Sequence, residues 1–275
     1  MKLIHHVEEC AVYESNKHSY ASALPQVKTF LLKITSSNTP EAALKLLSSV
    51  EKSIKRARAY AYGHTSTSIK FKALNVIPLK TFIDNNMHSP SLFKGMAYTL
   101  TLKLLADVGT QLERIRLERG LIIPFLSLED IVVIETTRNQ DNQNQEEVSD
   151  NAKSESRESD SEYTFVFMNA EKLMQEPGPK KDLIVDVPLK VNKHTSFLPA
   201  ELPESALKRL PMRLTATSWY YSLSALCIYA LLQHKFKNGE DDIERIGRPF
   251  LHTSLYFCLK RCLKPDPEER VLLYV

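Results

Sequence analysis

Few side chains in this sequence have the types and spacing to do chemistry. No Ser-His-Asp or Cys-His arrangement is readable along it, and no Gly-x-Ser-x-Gly turn offers an exposed serine nucleophile. The four cysteines, Cys10, Cys227, Cys258 and Cys262, have neither the paired spacing of a zinc site nor the density of a disulfide framework. Cys258 and Cys262, four apart, read as small buried thiols on one helix face. His5 and His6 would bind a metal only with further ligands. None can be identified, so no metal site is expected and the pair reads as part of a flexible, solvated terminus. The run Lys52–Arg58, with Tyr60 and Tyr62 nearby, has the residue types of a nucleic-acid surface. Its acidic neighbours and a net charge of only +3 point instead to a solvated helix face, and no nucleic-acid partner is expected. That leaves Gly120–Ile134, GLIIPFLSLEDIVVI, an apolar run in which Asp130 precedes the buried strand Ile131–Ile134.

The elements around these residues are those of an ordinary globular chain. Its 275 residues suit one large domain or two small ones, with 43% apolar and 25% charged residues. The start, MKLIHHVEEC, turns polar almost at once, so no secretory signal is expected. The longest apolar run, Trp219–Leu232, is shorter than the roughly 20 residues that span a bilayer and reads as a buried core helix. With neither a membrane segment nor a disulfide framework, a reduced, intracellular and cytoplasmic protein is expected.

Two strand-like runs, Cys10–Tyr13 and Val27–Ile34, open the chain. Thr39 is placed to cap a helix and Pro40 to start it, and from Glu41 the residues Ala42, Leu44, Leu47, Val50 and Ile54 recur at helical spacing. Ser68–Pro78 and Leu79–Ile83 read as extended. Residues 1–88 therefore form a small α/β part. The remainder, 89–275, reads as mostly helical. A long helix within Ser91–Gly120 carries Tyr98, Leu102, Leu105, Val108, Leu112 and Ile115 on one face, with Gly120 as its stop. Tyr163–Met168 is a strand, Trp219–Leu232 a helix, and Phe250–Leu263 a last helix with Leu251, Leu255, Leu259 and Leu263 four apart. Thr137–Glu162 is Asn, Gln, Ser, Asp and Glu almost throughout. Such a segment buries too little surface to offset its ordering entropy, so it reads as a disordered acidic insert. Serines in it stand beside acidic residues, as acidophilic kinases prefer.

A series of motifs, in one order over most of the chain, resembles the eukaryotic protein kinases. FLLKI at Phe30–Ile34 resembles the strand whose lysine holds the ATP phosphates, which puts Lys33 there; Glu51 on the next helix, or less well Glu41, takes the place of its glutamate partner. Gly120–Ile134 resembles the catalytic loop, with Phe125 at the catalytic Asp position and Asp130 at the metal-binding Asn position. Asn169-Ala170-Glu171 falls where Asp-Phe-Gly is expected. FLPAEL at Phe197–Leu202 resembles the Ala-Pro-Glu motif, with Glu201 as its glutamate. YYSLSAL at Tyr220–Leu226 resembles the start of the central helix of the C-terminal lobe, with Ser224 in place of Gly. LKRCLKPDPEER at Leu259–Arg270 resembles the end of that lobe, and Arg270 would be the buried arginine that pairs with Glu201. The resemblance implies an α+β, two-lobed fold with a reduced N-terminal lobe and a mostly helical C-terminal lobe.

Measured against the same family, the reactive parts are missing. Phosphoryl transfer depends on positioning and charge neutralisation. The first glycine is Gly63, so no glycine-rich loop precedes Lys33, and the chain before Lys33 is short for a complete first hairpin. Phe125 cannot accept a proton, and Asn169 removes a magnesium ligand. What remains in Lys33, Glu51, Asp130 and Asn169 is a vestigial nucleotide site, with no cofactor expected, while the scaffold residues Glu201 and Arg270 are retained. The pattern resembles pseudokinases, and implies an inactive domain acting as an adaptor or allosteric scaffold for a protein partner. Two other readings stay open at this stage: an atypical ATP-dependent serine/threonine phosphotransferase, and a helical interaction module whose kinase resemblance is accidental.

Overall fold

The computed structural model describes residues 1–7, 10–15, 27–34, 41–56, 60–65, 67–86, 94–137, 161–176, 183–185, 190–202 and 211–272. The chain opens with β1 (Lys2–Val7), β2 (Cys10–Glu14) and β3 (Lys28–Ile34), followed by α1 (Glu41–Arg56), β4 (Tyr60–Thr65) and β5 (Ser68–Ala73). The five strands form one antiparallel sheet in the order β1-β2-β3-β5-β4. Alternation decides its inner face: Phe30, Leu32 and Ile34 are buried, whereas Lys33 between them is exposed. α1 covers this face with Ala43, Leu46, Leu47, Val50 and Ile54, all buried at helical spacing.

The first hairpin is complete, which corrects the expectation of a chain too short to form it. Val7 pairs with Cys10, so the two strands are joined in register with only residues 8 and 9 between them. His5 and His6 do not belong to a loose terminus either. Both lie in β1, and His5 Nε2 lies 2.8 Å from the Glu129 carbonyl.

Sequence pattern and structure also differ over the next segment. β6 (Asn75–Pro78) is extended, but Leu79–Ile83 is helical, within α2 (Leu79–Asn86). Leu79, Phe82 and Ile83 are its buried face, an i, i+3, i+4 set that a strand reading of a short apolar run misses. The long helix α3 (Lys94–Arg119) buries Leu104, Leu105, Val108, Leu112 and Ile115. It ends as expected at Gly120, where φ is +62° and the amide donates to the Arg116 carbonyl at 2.8 Å.

Beyond α3 come β7 (Leu121–Ile122), β8 (Leu126–Ser127), a 3-10 turn at Leu128–Asp130, β9 (Ile131–Thr137) and β10 (Ser161–Phe167). β9 and β10 form a hairpin onto which β6 adds as a third strand. The acidic insert is narrower than expected, because Thr137, Ser161 and Glu162 belong to these strands. The rest of it, residues 138–160, lies outside the described residues, as does the expected boundary at 88/89. The outer edge of β10 is closed by α3. Buried Gln111 gives to the Phe167 carbonyl and accepts from its amide, at 3.0 and 2.8 Å, and Asp107 accepts from the Phe165 amide at 3.1 Å.

β11 (Met174–Gln175), β12 (Leu183–Val185), β13 (Ser196–Phe197) and β14 (Met212–Leu214) lead to α4 (Ser218–Leu232), the core helix expected at Trp219–Leu232. α5 (Ile243–Ile246) and α6 (Ser254–Cys262) follow. The last helix is shorter than its Leu pattern suggests: Thr253 caps it by accepting from the Tyr256 amide, leaving Leu251 outside and exposed. Cys258 and Cys262 are buried on one face, and all four cysteines are buried thiols outside any disulfide. One apolar core runs from the sheet and α1 through α3 to α4 and α6. Among the described residues, no helix is long and apolar enough to cross a membrane.

Burial lowers the His5 pKa from its ordinary value, partly opposed by the Glu129 carbonyl and by nearby carboxylates. A ring whose folded pKa lies below the unfolded value of about 6.5 stabilises the fold above that pH and ceases to do so as pH falls through the folded pKa. The stability difference between the native chain and His5→Gln, measured by urea denaturation, should therefore shrink from pH 7.5 to pH 5. Its slope should stay within the one-proton limit of about 1.4 kcal/mol per pH unit.

Candidate functional site

The loop between β7 and β9 is held from three sides. β8 pairs with β13, matching Ser127 to Ser196 and Leu126 to Phe197, and β7 pairs with β11. From below, Ser222 on α4 accepts the Leu126 amide at 2.7 Å and donates to the Phe197 carbonyl. The Asp130 carbonyl accepts the Met168 amide at 2.7 Å, which brings the residues after β10 beside the loop.

Phe125, Asp130 and Asn169 do come together as the motif order implies. Phe125 is buried and packs with Val185, Leu202 and Leu214, so it fills an apolar cluster under the segment that follows. Asp130 is 1% exposed. Its Oδ2 accepts the Ser127 amide at 2.7 Å and the Lys172 ammonium at 2.7 Å, and its Oδ1 accepts Asn169 Nδ2 at 2.8 Å. Burial pushes the Asp130 carboxyl up from its ordinary value, while the Lys172 ammonium and the hydrogen bonds of Lys172, Asn169 and the Ser127 amide pull it down. The Asn169 side chain is spent locally as well, its Oδ1 accepting the Glu171 amide at 3.1 Å.

Lys172 is the residue that sequence reasoning missed. It stands three positions after Asn169, and its ammonium reaches Asp130, Ser127 Oγ at 2.8 Å and the ring of Phe125, 4.0 Å from the centroid. Ser127 Oγ in turn lies 2.7 Å from Ser196 Oγ. A Ser-Lys pair of this kind can serve as nucleophile and base only if the lysine is neutral and free to take a proton, and here its nitrogen is engaged by a buried carboxylate at 2.7 Å. A lysine close behind the Asp-Phe-Gly position was a readable signal, but the direction of its side chain was not.

Lys33 and Glu51 are not brought together. Leu32 and Ile34 face α1, so Lys33, one residue out of step, lies on the opposite, solvent side of the sheet. Glu51 pairs with Lys55 at 2.7 Å, and Glu41 with Lys45 at 2.7 Å, both along α1 itself. The apolar alternation Phe30, Leu32, Ile34 already carried this information. A lysine able to reach α1 would have to stand at 32 or 34.

Glu201 and Arg270 meet as the motifs imply. The pair is bidentate, with Nη1 to Oε1 at 2.9 Å and Nη2 to Oε2 at 2.6 Å, and the Arg270 side chain is 0% exposed. Arg270 also donates to the carbonyls of Lys264 and Pro265, at 2.7 and 2.9 Å, and lies over Tyr221. Ser218, at the start of α4, donates to Glu201 at 2.6 Å.

No protein-family model and no curated protein sequence matches the chain. Solved structures do. The kinase domain of a rhoptry-specific antigen of Toxoplasma gondii aligns with a TM-score of 0.50 at 14% identity, over 99% of this chain and 76% of that one. A rhoptry kinase from Toxoplasma gondii aligns with a TM-score of 0.50 at 13% identity, over 98% and 73%. At these identities the likeness is one of fold alone. The chain has an α+β, protein-kinase-like fold.

That fold implies a magnesium-bound nucleotide, and the residues present do not fit one. Octahedral magnesium needs several oxygens at about 2.0–2.1 Å, and here a single buried carboxylate is already shared among an amide, an Asn and a Lys. Among the described residues, no three His, Cys, Asp or Glu side chains gather as metal ligands.

Removing one partner of a buried ion pair leaves the other uncompensated, at about 3–5 kcal/mol. Arg270→Ala should lose that much stability in urea denaturation, whereas Lys264→Ala, an exposed neighbour, should change it by less than about 0.5 kcal/mol. Ser222→Ala strands the Leu126 amide and the Phe197 carbonyl in the core and should cost about 2–3 kcal/mol in the same assay.

Proposed function

We propose that this chain is a catalytically inactive protein-kinase-like domain, a pseudokinase, that works by binding a protein partner as an adaptor or allosteric scaffold. The observation that carries the reading is the state of Asp130, whose two carboxylate oxygens are taken by Ser127, Asn169 and Lys172. It is the one carboxylate at the expected metal position, and it is turned inward to hold the loop together. Phe125, at the catalytic Asp position, serves packing. Lys33 lies on the far side of the sheet from α1, so the phosphate-holding pair is not assembled. Only two residues, neither of them glycine, separate β1 from β2 along the chain.

The scaffold, in contrast, is complete in its buried pair and its core helix, which suits a domain kept for its shape. A protein partner, rather than nucleic acid or membrane, agrees with the small net charge of +3. Four buried thiols outside any disulfide agree with a reducing, cytoplasmic setting.

Calorimetric titration of the native chain with ATP and magnesium should give no magnesium-dependent heat of binding. Labelled phosphate should not be transferred to casein, myelin basic protein or the chain itself. Magnesium-dependent nucleotide binding that Lys33→Ala weakens, or phosphate transfer that Asp130→Ala abolishes, would overturn the reading in favour of an atypical phosphotransferase.

A further inference from the structure

On the reading of this chain as a partner-binding domain, we propose that the outer face of its five-stranded sheet is the docking surface, and that it takes an acidic protein segment carrying one or two large apolar side chains. Lys33, whose motif resembles that of a nucleotide-binding lysine but whose side chain stands on this face, is one of two cations that meet the segment.

Strand register places the residues. Side chains directly opposite one another in paired strands share a face. Leu3 of β1 is opposite Tyr13 of β2, Tyr13 is opposite Leu31 of β3, and Leu31 is opposite Lys70 of β5. These four make one row across the strands, about 14 Å long at three strand spacings. The row lies on the face away from α1, because its chain neighbours Val12, Phe30, Leu32, Ile69 and Phe71 are buried in the core. Leu3 is 52% exposed, and Tyr13 and Leu31 are half-buried. The result is an apolar strip open to solvent, which a partner's apolar side chains would cover.

Charge selects the partner. Lys33 is opposite Ser68, two residues along each strand from the Leu31–Lys70 pair. Lys33 and Lys70 are therefore diagonal neighbours, roughly 7–8 Å apart across the strands. Both are exposed. Like charges so placed repel each other, and among the described residues of β1, β2, β3 and β5 no Asp or Glu stands on this face to offset them. The one carboxylate of these strands, Glu14, is opposite inward-facing Phe30 and pairs with Lys28 at 3.2 Å. A segment bearing Asp or Glu relieves the repulsion, whereas a basic one adds to it. The strip also favours protein over nucleic acid. Single-stranded nucleic acid is held by successive stacking rings, and this row offers one ring between two leucines.

The test draws the partner's chemistry from an unbiased pool. Dodecapeptides displayed on phage are panned against the native chain, and the leading sequence is made as a fluorescein-labelled peptide for anisotropy titration. Selected sequences should be rich in Asp and Glu and carry Leu, Phe or Trp. Lys33→Glu and Lys70→Glu should each weaken binding about tenfold, and the two together should abolish it. Leu3→Ser should weaken it about fivefold. Arg261→Glu, the same charge change on the exposed side of α6, should leave it unchanged. Affinity should fall as sodium chloride is raised. Lys70→Glu sets a carboxylate beside Lys33 and should melt no lower than the native chain, so its lost binding would not reflect lost folding.

No enrichment, enrichment of basic or uncharged sequences, or equal loss of binding in Arg261→Glu would each overturn the docking surface. Tighter binding of oligouridylate or of phosphatidylserine vesicles than of the selected peptide would overturn it too. These failures leave the pseudokinase reading standing, which magnesium–ATP binding or phosphate transfer by the native chain would sink separately.

Discussion

A charge without water around it must be neutralised by the protein, and two such charges organise the C-terminal lobe. Arg270, with no exposed side-chain surface, is held by Glu201 and by two carbonyls, and Glu201 is held in turn by Ser218 at the head of α4. Asp130 is held by Ser127, Asn169 and Lys172. Each arrangement joins segments far apart in the chain. Ser222, one turn along that helix from Ser218, links the two regions by gripping Leu126 and Phe197. Buried pairs of this kind add less to net stability than to uniqueness, because alternative packings leave a bare charge inside.

The two clusters have different bearings on function. The Glu201–Arg270 pair is a scaffold device that any protein with this fold can use, whatever its chemistry. The Asp130 cluster stands where chemistry would be done, and there a carboxylate that faces inward to Lys172 has no free oxygen for a ligand. The two positions differ in kind: Phe125 carries a side chain that cannot act on a proton, whereas Asp130 carries a carboxylate whose oxygens are bonded to Ser127, Asn169 and Lys172. Substitution is visible in a sequence, whereas internal satisfaction depends on where a side chain points.

Lys33 illustrates the same limit on the scale of a strand. Its place in FLLKI resembles that of a functional lysine, and a one-residue shift in a strand moves a side chain to the opposite face. The apolar residues Phe30, Leu32 and Ile34 were the stronger evidence, since burying three apolar side chains outweighs placing one lysine. The N-terminal hairpin shows an opposite misjudgement: a short chain looked insufficient, yet a two-residue connection completes it and brings His5 against Glu129.

Apolar patterning and residue type along the sequence by themselves determined α1, α3 and α4 and the stop at Gly120, because helical spacing and a left-handed glycine are local signals. The pairing of Glu201 with Arg270, in contrast, was implied by the resemblance to protein kinases. The resemblance set a phenyl ring at Phe125 and an amide at Asn169 where it implied carboxylates, since chemical type is written in the residue. Only the tertiary structure decided that Lys33 faces away from α1, that Leu79–Ile83 coils and that Lys172 sits on Asp130. Those outcomes depend on which face of an element meets the core, and on which distant side chains arrive to neutralise a buried charge. They are settled by packing between segments, which no local pattern encodes.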